Sequence, residues 1–447
     1  MKKTVKSILN ILLMVLLAIV FASCQGQTNL QEKQNNHSEQ TDPNNKNNQD
    51  NKSNEIRSQE LMQGVKAEEV NGKVLDDLFF DSQFKLTVDL FKRSITASEN
   101  KNVLISPLSI LLALSMTANG ADGETKSEME SVLGNGIKIE NLNEYIYSYI
   151  ESLPSGEKYK LSIANSIWYR DMGDILNVKP NFLQTNANYY GAQLYKSPFD
   201  NSTVEDINNW VDTNTDGMIK KIIEYINKET IMYLINALAF DAEWKRIYSE
   251  SDIHQGIFTS ITNEKQEATM MNSMESIFIS DRNAKGFIKP YADNKYSFAA
   301  LLPNEGVDIY EYINSLTGES LANTLKNAID FRVYTTMPKF TYEYQLTLND
   351  ILIDLGISRA FDPYQADLSK MVQVPGRNVY ISSVLHKTFI KVDERGTKAG
   401  AVTAVEIGIG TSYPTHAYYI KLDKPFVYMI IDNETKLPIF IGALVGL

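Results

Sequence analysis

The chain has 447 residues, of which 43% are hydrophobic and 22% are charged, so it suits one large globular domain or two or three average ones. Its formal net charge of −12 and the lack of a basic stripe argue against a nucleic-acid partner. The single cysteine excludes an intramolecular disulfide, and no G-x-S-x-G, H-E-x-x-H, C-x-x-C, P-loop or G-x-G-x-x-G motif indicates an enzyme or a metal site.

The first 23 residues have the pattern of an export signal. Lys2, Lys3 and Lys6 precede an apolar run at 8–21 that is too short for a membrane span of about 20 residues. The run ends in F-A-S-C, which resembles the lipobox of bacterial lipoproteins and contains Cys24. We therefore predict a lipoprotein signal peptide at 1–23 and a lipid on Cys24, which would anchor the exported protein to the bacterial cell envelope or outer surface. Secretion with an unmodified Cys24 is the alternative.

Residues 24–66 have the composition of a flexible tether. The segment is rich in Asn, Gln, Lys, Asp and Ser and lacks aromatic residues. Such a segment cannot bury enough apolar surface to order itself, so we predict that it is disordered. A flexible chain of roughly 40 residues has a reach on the order of 35 Å, enough to hold a folded domain clear of a membrane.

From residue 67 onward, apolar periodicity predicts a folded domain. Helical patterns cover 82–97 and 107–119, and Ser106-Pro107 is a start signal for the second helix. Strand patterns rich in Ile, Val, Tyr and Phe follow at 161–169, 231–240, 296–302, 331–340, 379–392 and 417–422. Helices that cluster early and strands that cluster late indicate the α+β class.

Residues 394–409 combine a strand pattern with a loop-like continuation, and they begin E-R-G-T-K-A-G. From Thr397 onward, alternate positions carry no charge, while the charged Lys398 and Glu406 fall on the other parity. Because side chains of a strand alternate with a period of two, one face suits burial and the other suits water, as in any half-buried strand. The glycine- and proline-containing tract 408–414 would weaken a sheet, so the segment leads into an exposed loop.

Two residues are ambiguous from sequence alone. A lone histidine such as His386, which follows the apolar run 381–385, is typical of a buried side chain with its hydrogen bonds satisfied. Trp244 is by default a core residue. A Ser-His-Asp arrangement stays open as an enzymatic alternative, whereas Cys24 lies at the processing site and is no catalytic nucleophile.

Short motifs distributed over residues 75–447 are similar, as a set, to those of one family. Besides the segment at 394–400, they include Ser106-Pro107-Leu108-Ser109-Ile110, Asn208-Asn209-Trp210-Val211, Leu234-Ile235-Asn236-Ala237, Pro338-Lys339-Phe340, Val384-Leu385-His386-Lys387 and Asp423-Lys424-Pro425-Phe426. In this order they resemble the serpins. The resemblance implies an α+β serpin fold over 67–447, with three β-sheets wrapped by eight or nine helices and an exposed reactive-centre loop.

The resemblance implies a protease inhibitor and not an enzyme. In serpins, a serine protease attacks a bond of the reactive-centre loop, and the cleaved loop enters the main sheet as a new strand that traps the acyl-enzyme. The residues that match the hinge of this loop are Glu394, Arg395, Gly396, Thr397, Lys398, Ala399, Gly400 and Ala401. The residues that match the shutter and breach, which control separation of the strands, are Ser106, Ser109, Asn236, Trp244 and His386.

The reactive bond follows from the family's interval between hinge and bond. Counting from Gly396 places it between Gly410 and Thr411, with Ile409 and Tyr413 as alternatives for P1, the residue whose carbonyl is attacked. No Arg or Lys lies in this window, which argues against a trypsin-like target. A small or apolar P1 suits elastase-like or subtilisin-like proteases. Papain-like cysteine proteases are a further class of partner that the resemblance allows.

The remaining expectations concern ligands and the main alternative function. Residues 139–155 carry Glu140, Glu144 and Glu151 where some serpins have a basic helix, so no heparin-type activator is expected. We expect a monomer with no cofactor and no metal. The alternative is a non-inhibitory serpin that acts as a cell-surface binding protein, because glycines such as Gly400 raise the entropy cost of ordering the loop. The small, uncharged face of the hinge favours the inhibitor.

Overall fold

The computed structural model describes residues 57–153, 156–376, 378–397 and 416–447. These ranges contain nine α-helices, four 3-10 helices and eighteen strands. The α-helices are α1 (Asp77–Ala97), α2 (Pro107–Ala118), α3 (Gly123–Gly134), α4 (Ile139–Glu151), α5 (Pro180–Tyr190), α6 (Asn201–Asn214), α7 (Ile309–Ser315), α8 (Gly318–Lys326) and α9 (Asn349–Leu355). The 3-10 helices are Gly173–Ile175, Glu250–Asp252, Ala292–Asn294 and Arg359–Phe361.

Capping side chains explain where the first two helices begin. α1 begins earlier than predicted because the side chain of Asp76 accepts a hydrogen bond from the backbone N–H of Phe79 at 3.2 Å. α2 begins as predicted, with the Ser106 side chain as its cap and Pro107 at its first position. Every residue of α2 is buried, so this helix runs through the core, where an amphipathic pattern is not needed.

A seven-stranded sheet contains the hinge and lies over α2. Its strands are β1 (Gln59–Glu60), β3 (Tyr159–Arg170), β5 (Gln193–Ser197), β6 (Met232–Glu243), β12 (Phe340–Thr347), β14 (Ser383–Val392) and β15 (Gly396–Thr397). Their order across the sheet is β1-β5-β3-β6-β15-β14-β12. β3 and β6 pair antiparallel over their whole length, and α2 packs against β6. The sheet is therefore continuously paired on the β3 side of the hinge.

The second sheet has nine strands and forms much of the core. They are β2 (Val103–Ile105), β7 (Ile253–Thr259), β8 (Lys265–Ser280), β9 (Ala284–Pro290), β10 (Tyr296–Pro303), β11 (Ile329–Pro338), β16 (Tyr418–Lys421), β17 (Phe426–Asp432) and β18 (Pro438–Leu444). Their order is β16-β11-β8-β9-β10-β17-β18-β2, with β7 beside β8. Every residue of β10, β17 and β18 is buried. A third sheet pairs β4 (Asn177–Val178) with β13 (Val372–Gln373).

The predicted α+β class with three sheets and eight or nine helices is confirmed in the described residues. Two strand predictions differ in detail. The predicted strand 331–340 is divided, because β11 ends at Pro338 and β12 begins at Phe340 in the other sheet. The predicted strand 379–392 starts only at Ser383, since the N–H of Ile381 donates to the carbonyl of Ala360 outside the sheet.

Residues 57–66, which the composition assigns to the tether, belong to the folded domain. The buried carboxylate of Asp206 accepts hydrogen bonds from the backbone N–H groups of Arg57 and Ser58, at 3.1 and 2.8 Å, and from the Ser58 hydroxyl at 2.6 Å. β1 then pairs with β5 at the edge of the sheet. Composition does not reveal this docking because most of it uses backbone groups, which any sequence supplies. Residues 1–56, with the predicted signal peptide and Cys24, lie outside the described residues.

Candidate functional site

Residues 393–397 are the described part of the predicted hinge and its entry, and they lie in the middle of the seven-stranded sheet. β15 pairs antiparallel with the strands on both sides, with Thr397 opposite Ala242 of β6 and Val392 of β14. The first two residues of a new central strand are therefore already in place between β6 and β14. Lys398, Ala399, Gly400 and Ala401 lie outside the described residues.

Backbone carbonyls of the hinge are held by the segment that follows β6. The indole N–H of Trp244 donates to the carbonyl of Asp393 at 2.8 Å, and its backbone N–H donates to that of Arg395 at 2.7 Å. The backbone N–H of Tyr248 donates to the carbonyl of Glu394 at 2.9 Å. Trp244 is buried, as its default core assignment predicts, but its polar atoms also fix the path of the hinge.

The side of the hinge that faces the core is closely fitted. Thr397 is buried and shares a hydrogen bond of 2.5 Å with the hydroxyl of Tyr291, whose ring stacks on Trp244 at a centroid distance of 4.5 Å. A Cβ atom on Gly396 would lie 2.0 Å from the carbonyl oxygen of Ala242, so only glycine fits there. This close backbone approach explains the glycine of the hinge better than flexibility does.

Charged side chains hold the turn that precedes β15. Lys339 and Glu394 form an ion pair of 2.5 Å, and the hydrogen bond from Lys339 holds the pKa of the Glu394 carboxyl below its ordinary value. Asp393 pairs with Lys391 at 2.9 Å, and its Oδ1 accepts the backbone N–H of Arg395 at 2.9 Å. The turn is thus fixed by both its backbone and its side chains.

A gap in strand pairing runs from the hinge along the sheet. β6 and β14 pair in parallel only over 233–235 and 383–385. Within the described residues, no ladder joins 236–241 of β6 to 386–391 of β14. We call this gap the slot. At about 3.3 Å per residue, the slot is roughly 20 Å long between its paired end and the hinge.

The predicted shutter residues lie at the paired end of the slot, where the two strands separate. The backbone N–H of Ser106 donates to Nε2 of His386 at 3.1 Å, and that of Ser109 donates to Oγ of Ser106 at 3.2 Å. The hydroxyl of Ser109 donates to Oδ1 of Asn236, whose amide N–H donates to Oδ1 of Asn165. Asn236 and His386 are the first residues beyond the paired segments. The structure thus brings these shutter residues together and places Trp244 at the other end of the slot.

His386 is neutral in this arrangement. Burial lowers the pKa of its imidazole to about 4, and Nε2 accepts a hydrogen bond, so the ring proton resides on Nδ1. The donor to Nε2 is a backbone amide of Ser106 and not a serine hydroxyl. That contact suits a structural gate and differs from the serine–histidine contact of a hydrolase.

Two residues of the site were not predicted from sequence. Asn165 lies opposite Asn236 in the β3–β6 register and is buried. An asparagine inside the strand pattern 161–169 is the sequence signal that could have identified it. Tyr291 follows β9 in a region without a strand prediction, so sequence gave no signal for its contact with Thr397. The residues of the predicted reactive bond, Gly410 and Thr411, and the alternatives Ile409 and Tyr413 lie outside the described residues.

The part of the chain that the structure describes lacks two features. No group of three or more His, Cys, Asp or Glu side chains is arranged to hold a metal ion there. No helix in the same residues has the length and apolarity needed to cross a membrane.

Comparison with known proteins identifies the family. Residues 81–446 match the family described as "Serpin (serine protease inhibitor)". The chain belongs to the serpin family. A curated relative, an uncharacterized serpin-like protein of Thermococcus kodakarensis, is 30% identical over 375 residues, which are 80% of this chain and 84% of the relative. Serpins are typically serine protease inhibitors, although some members are non-inhibitory.

Solved structures confirm the serpin fold. The chain matches the crystal structure of a thermophilic serpin, tengpin, in the native state, with 48% identity and a TM-score of 0.84 over 88% of this chain and 100% of that one. The latent state of tengpin matches with 49% identity and a TM-score of 0.75 over 84% and 100% of the two chains. The described residues of this serpin are therefore closer to the native arrangement than to the latent one.

Proposed function

We propose that this serpin is a suicide-substrate inhibitor of serine proteases that traps an acyl-enzyme by inserting its cleaved reactive-centre loop into the slot. The observation that supports the proposal is the position of the hinge, which we call seated because Gly396 and Thr397 pair with both β6 and β14. Gly396 and Thr397 already occupy a central strand position, and the strands on either side separate along the slot that follows. A strand that continued from Thr397 would gain backbone partners on both sides.

The register of the hinge can be extended along the slot. Thr397 lies opposite residue 242 of β6 and residue 392 of β14. Because β15 is antiparallel to both strands, the residue six positions after Thr397 would lie opposite the residues six positions earlier in these strands, 236 and 386. By this count Thr403 would reach Asn236 and His386, at the shutter. The inward positions on the way are Ala399 and Ala401, which are small and uncharged. Both flanking strands present buried residues on this face, so the slot accepts an apolar strand.

Insertion beyond Thr403 requires the shutter to open. Val405, Ile407 and Ile409 would each contribute about 1.5–3 kcal/mol when fully buried, and each new ladder hydrogen bond about 0.5–1.5 kcal/mol. Together these terms exceed roughly 10 kcal/mol before the ordering cost of the loop. The gain is larger than the cost of about 0.5–1.5 kcal/mol for each shutter hydrogen bond that must break.

The chemical consequence concerns the ester that links loop and protease. The catalytic serine of the protease attacks the carbonyl of Gly410, and the amine of Thr411 leaves. Full insertion moves the ester by about 43 Å, since 13 residues rise about 3.3 Å each. If this movement distorts the catalytic site, deacylation slows, because the loss of one oxyanion donor alone costs about 100- to 1000-fold. A glycine at P1 favours elastase-like or subtilisin-like proteases, and papain-like cysteine proteases form the second class to test.

The proposed location follows from the N-terminal sequence. A lipid on Cys24 would anchor the inhibitor to the bacterial cell envelope or outer surface, and the remaining tether, 25–56, would hold it clear of the membrane. Export of a protein that carries Cys24→Ser, followed by separation of membrane and soluble fractions, tests the anchor. The variant should move to the soluble fraction, whereas equal distribution of both proteins would contradict the lipid anchor.

Covalent trapping tests the inhibitory function. Residues 25–447 are incubated with elastase, subtilisin, chymotrypsin, trypsin and papain, and the products are analysed by denaturing gel and intact mass. A denaturant-stable adduct with a released peptide that begins at Thr411 is expected. Clean cleavage with full protease activity across the panel would instead support the non-inhibitory binding protein.

A matched pair of variants tests insertion itself. Ala401→Glu places a charge on the inward face of the inserted strand, whereas Lys398→Glu changes the charge on the outward face. We expect Ala401→Glu to be cleaved without forming the adduct and Lys398→Glu to retain it. Equal trapping by both variants would contradict the insertion of this segment.

A further inference from the structure

A buried ion pair lies behind the hinge and has no part in the mechanism above. Lys289 of β9 and Glu275 of β8 are 2% and 8% exposed, and their charged groups are 2.9 Å apart. A second acceptor, the carbonyl of Arg246, lies 3.3 Å from the ammonium, and the hydroxyl of Ser273 donates to the carboxylate at 2.6 Å. Buried pairs of this kind are often replaceable by apolar residues without loss of stability, so stability alone does not explain this one.

The ammonium of Lys289 lies against the segment that holds the hinge. It lies 4.4 Å from the ring centroid of Tyr248 and 5.3 Å from that of Trp244. Within a desolvated site, a cation over an aromatic ring is attracted by the ring quadrupole. Lys289 therefore contacts both ends of the segment 244–248, and its hydrogen bond to Arg246 fixes the middle.

This segment and its neighbour make the contacts that seat β15. Trp244 and Tyr248 donate their backbone N–H groups to the carbonyls of Arg395 and Glu394. Tyr291 stacks on Trp244 and shares a hydrogen bond with Thr397. A continuous set of contacts thus runs from the ion pair, through two aromatic rings, to the hinge.

We propose that Lys289, held in place by Glu275, is a positioning residue that keeps the hinge seated between β6 and β14. It touches neither the hinge nor a protease and acts through Trp244 and Tyr248. The consequence for inhibition rests on the proposed function. When the hinge is seated, insertion begins from the existing pairings of β15 with β6 and β14. When it is unseated, these pairings must first form. Their formation costs conformational entropy before any new contact is gained. Loss of the seat would slow insertion relative to deacylation.

Backbone amide exchange measures how firmly the hinge is held between β6 and β14, and it needs no protease. The amides of Trp244 and Tyr248 report on the hinge because their N–H groups donate to it. Three variants of the 25–447 protein are compared: Lys289→Met, Glu275→Gln and the double variant with both changes. The double variant removes both charges and nearly preserves volume, so its global stability should stay close to that of the wild type.

The double variant separates positioning from general stability. We expect exchange of the Trp244 and Tyr248 amides to accelerate at least about tenfold in Lys289→Met and in the double variant, while the amides of β17 keep their protection. Lys138→Met is the matched control, because it removes a lysine from the buried carboxylate of Glu130 far along the sequence from the hinge. Wild-type exchange at Trp244 and Tyr248 in the double variant would overturn the proposal.

A second readout separates failure of this proposal from failure of the proposed function. With a protease that forms the adduct, the double variant should require several-fold more serpin per protease molecule trapped, and Lys138→Met should require the wild-type amount. If amide exchange changes as expected but no protease is trapped even by the wild type, the positioning role stands and the inhibitory function fails. If trapping and exchange are both unchanged, the positioning role fails and the inhibitory function stands.

Discussion

Replacement of Thr397 by arginine tests the importance of the seated hinge for inhibition. Thr397 is 3% exposed, and its hydroxyl contacts Tyr291 at 2.5 Å. An arginine there would introduce a cation beside the Trp244–Tyr291 stack, which already faces the ammonium of Lys289. Burial of an ion without a partner costs several kcal/mol, and we take about 3 kcal/mol as the low end. The arginine would therefore leave the sheet and take the hinge with it.

The magnitude follows from the competition between insertion and deacylation. If the 3 kcal/mol appears in the barrier to insertion, the ratio of the two rates falls by about 150-fold. A serpin that traps most of the protease it meets would then trap about one molecule in a hundred, and the others would be released as active protease with cleaved serpin. The variant becomes a substrate while its binding to the protease is unchanged.

The assay is a titration of residual protease activity against serpin concentration, supported by a denaturing gel for the adduct. Thr341→Arg is the matched control, because Thr341 is an exposed residue of β12 in the same sheet. We expect wild-type stoichiometry for the control and loss of the adduct for Thr397→Arg. If Thr397→Arg traps protease with the wild-type stoichiometry, the seated hinge is not required for insertion.

Three further predictions concern stability and order. His386 has a pKa of about 4 in the fold against 6.5 ordinarily. As the pH falls, the unfolded chain therefore takes up the proton on this histidine before the folded chain does. The free energy of unfolding, measured with urea, should decrease by about 3 kcal/mol between pH 6.5 and 4. His386→Gln should lack this pH-dependent decrease. Gly396→Ala should displace β15 from the sheet, because the new Cβ would meet the carbonyl oxygen of Ala242. Thermal unfolding should show a loss of stability of about 1–3 kcal/mol. Unchanged stability would contradict the close fit. Asp206→Asn weakens the acceptor for the Ser58 hydroxyl and amide, so limited proteolysis should cut within 57–66 in the variant but not in the wild type.

Sequence was sufficient for the fold class because the signals are local and repeated. The start of α2 follows from Ser106-Pro107. β10 follows from an apolar run that contains two aromatic residues, and β16 follows from the run Tyr418-Tyr419-Ile420. The family motifs also indicated which side chains meet at the shutter, and the structure places Ser106, Ser109 and His386 in contact there.

The parts that sequence did not reveal depend on contacts between distant segments. Tyr291 meets Thr397 across 106 positions, and Lys289 meets Trp244 and Tyr248 across a sheet boundary. No periodicity marks such pairs. Docking of 57–66 depends mainly on backbone groups and on the buried carboxylate of Asp206, so composition alone assigns that segment to the tether.

Under the proposed mechanism, the attachment of the chain at β16 would keep an uncut loop from inserting fully. β16 begins at Tyr418 and pairs with Val333–Thr336 of β11, only a few residues before Phe340, which lies opposite Val392 beside the hinge. Both ends of the loop are therefore held near one end of the slot. If the uncut loop were inserted as far as Gly410, about 43 Å from Thr397, residues 411–417 would have to return that distance, yet seven residues span at most about 25 Å.

Full insertion thus requires either a cut or the release of β16, and β16 is held by the stack of Tyr418 on Phe278 at 3.8 Å. Under the proposed mechanism, cleavage between Gly410 and Thr411 would remove this restraint at the moment when the protease is bound as an ester. A cut close to Thr403 would also remove the restraint, but the freed strand would end at the shutter. It would then be too short to separate 233–235 from 383–385, and the protease would not be carried across the sheet. We therefore expect the position of the reactive bond relative to the shutter, and not the slot alone, to determine whether a cleaved loop traps its protease.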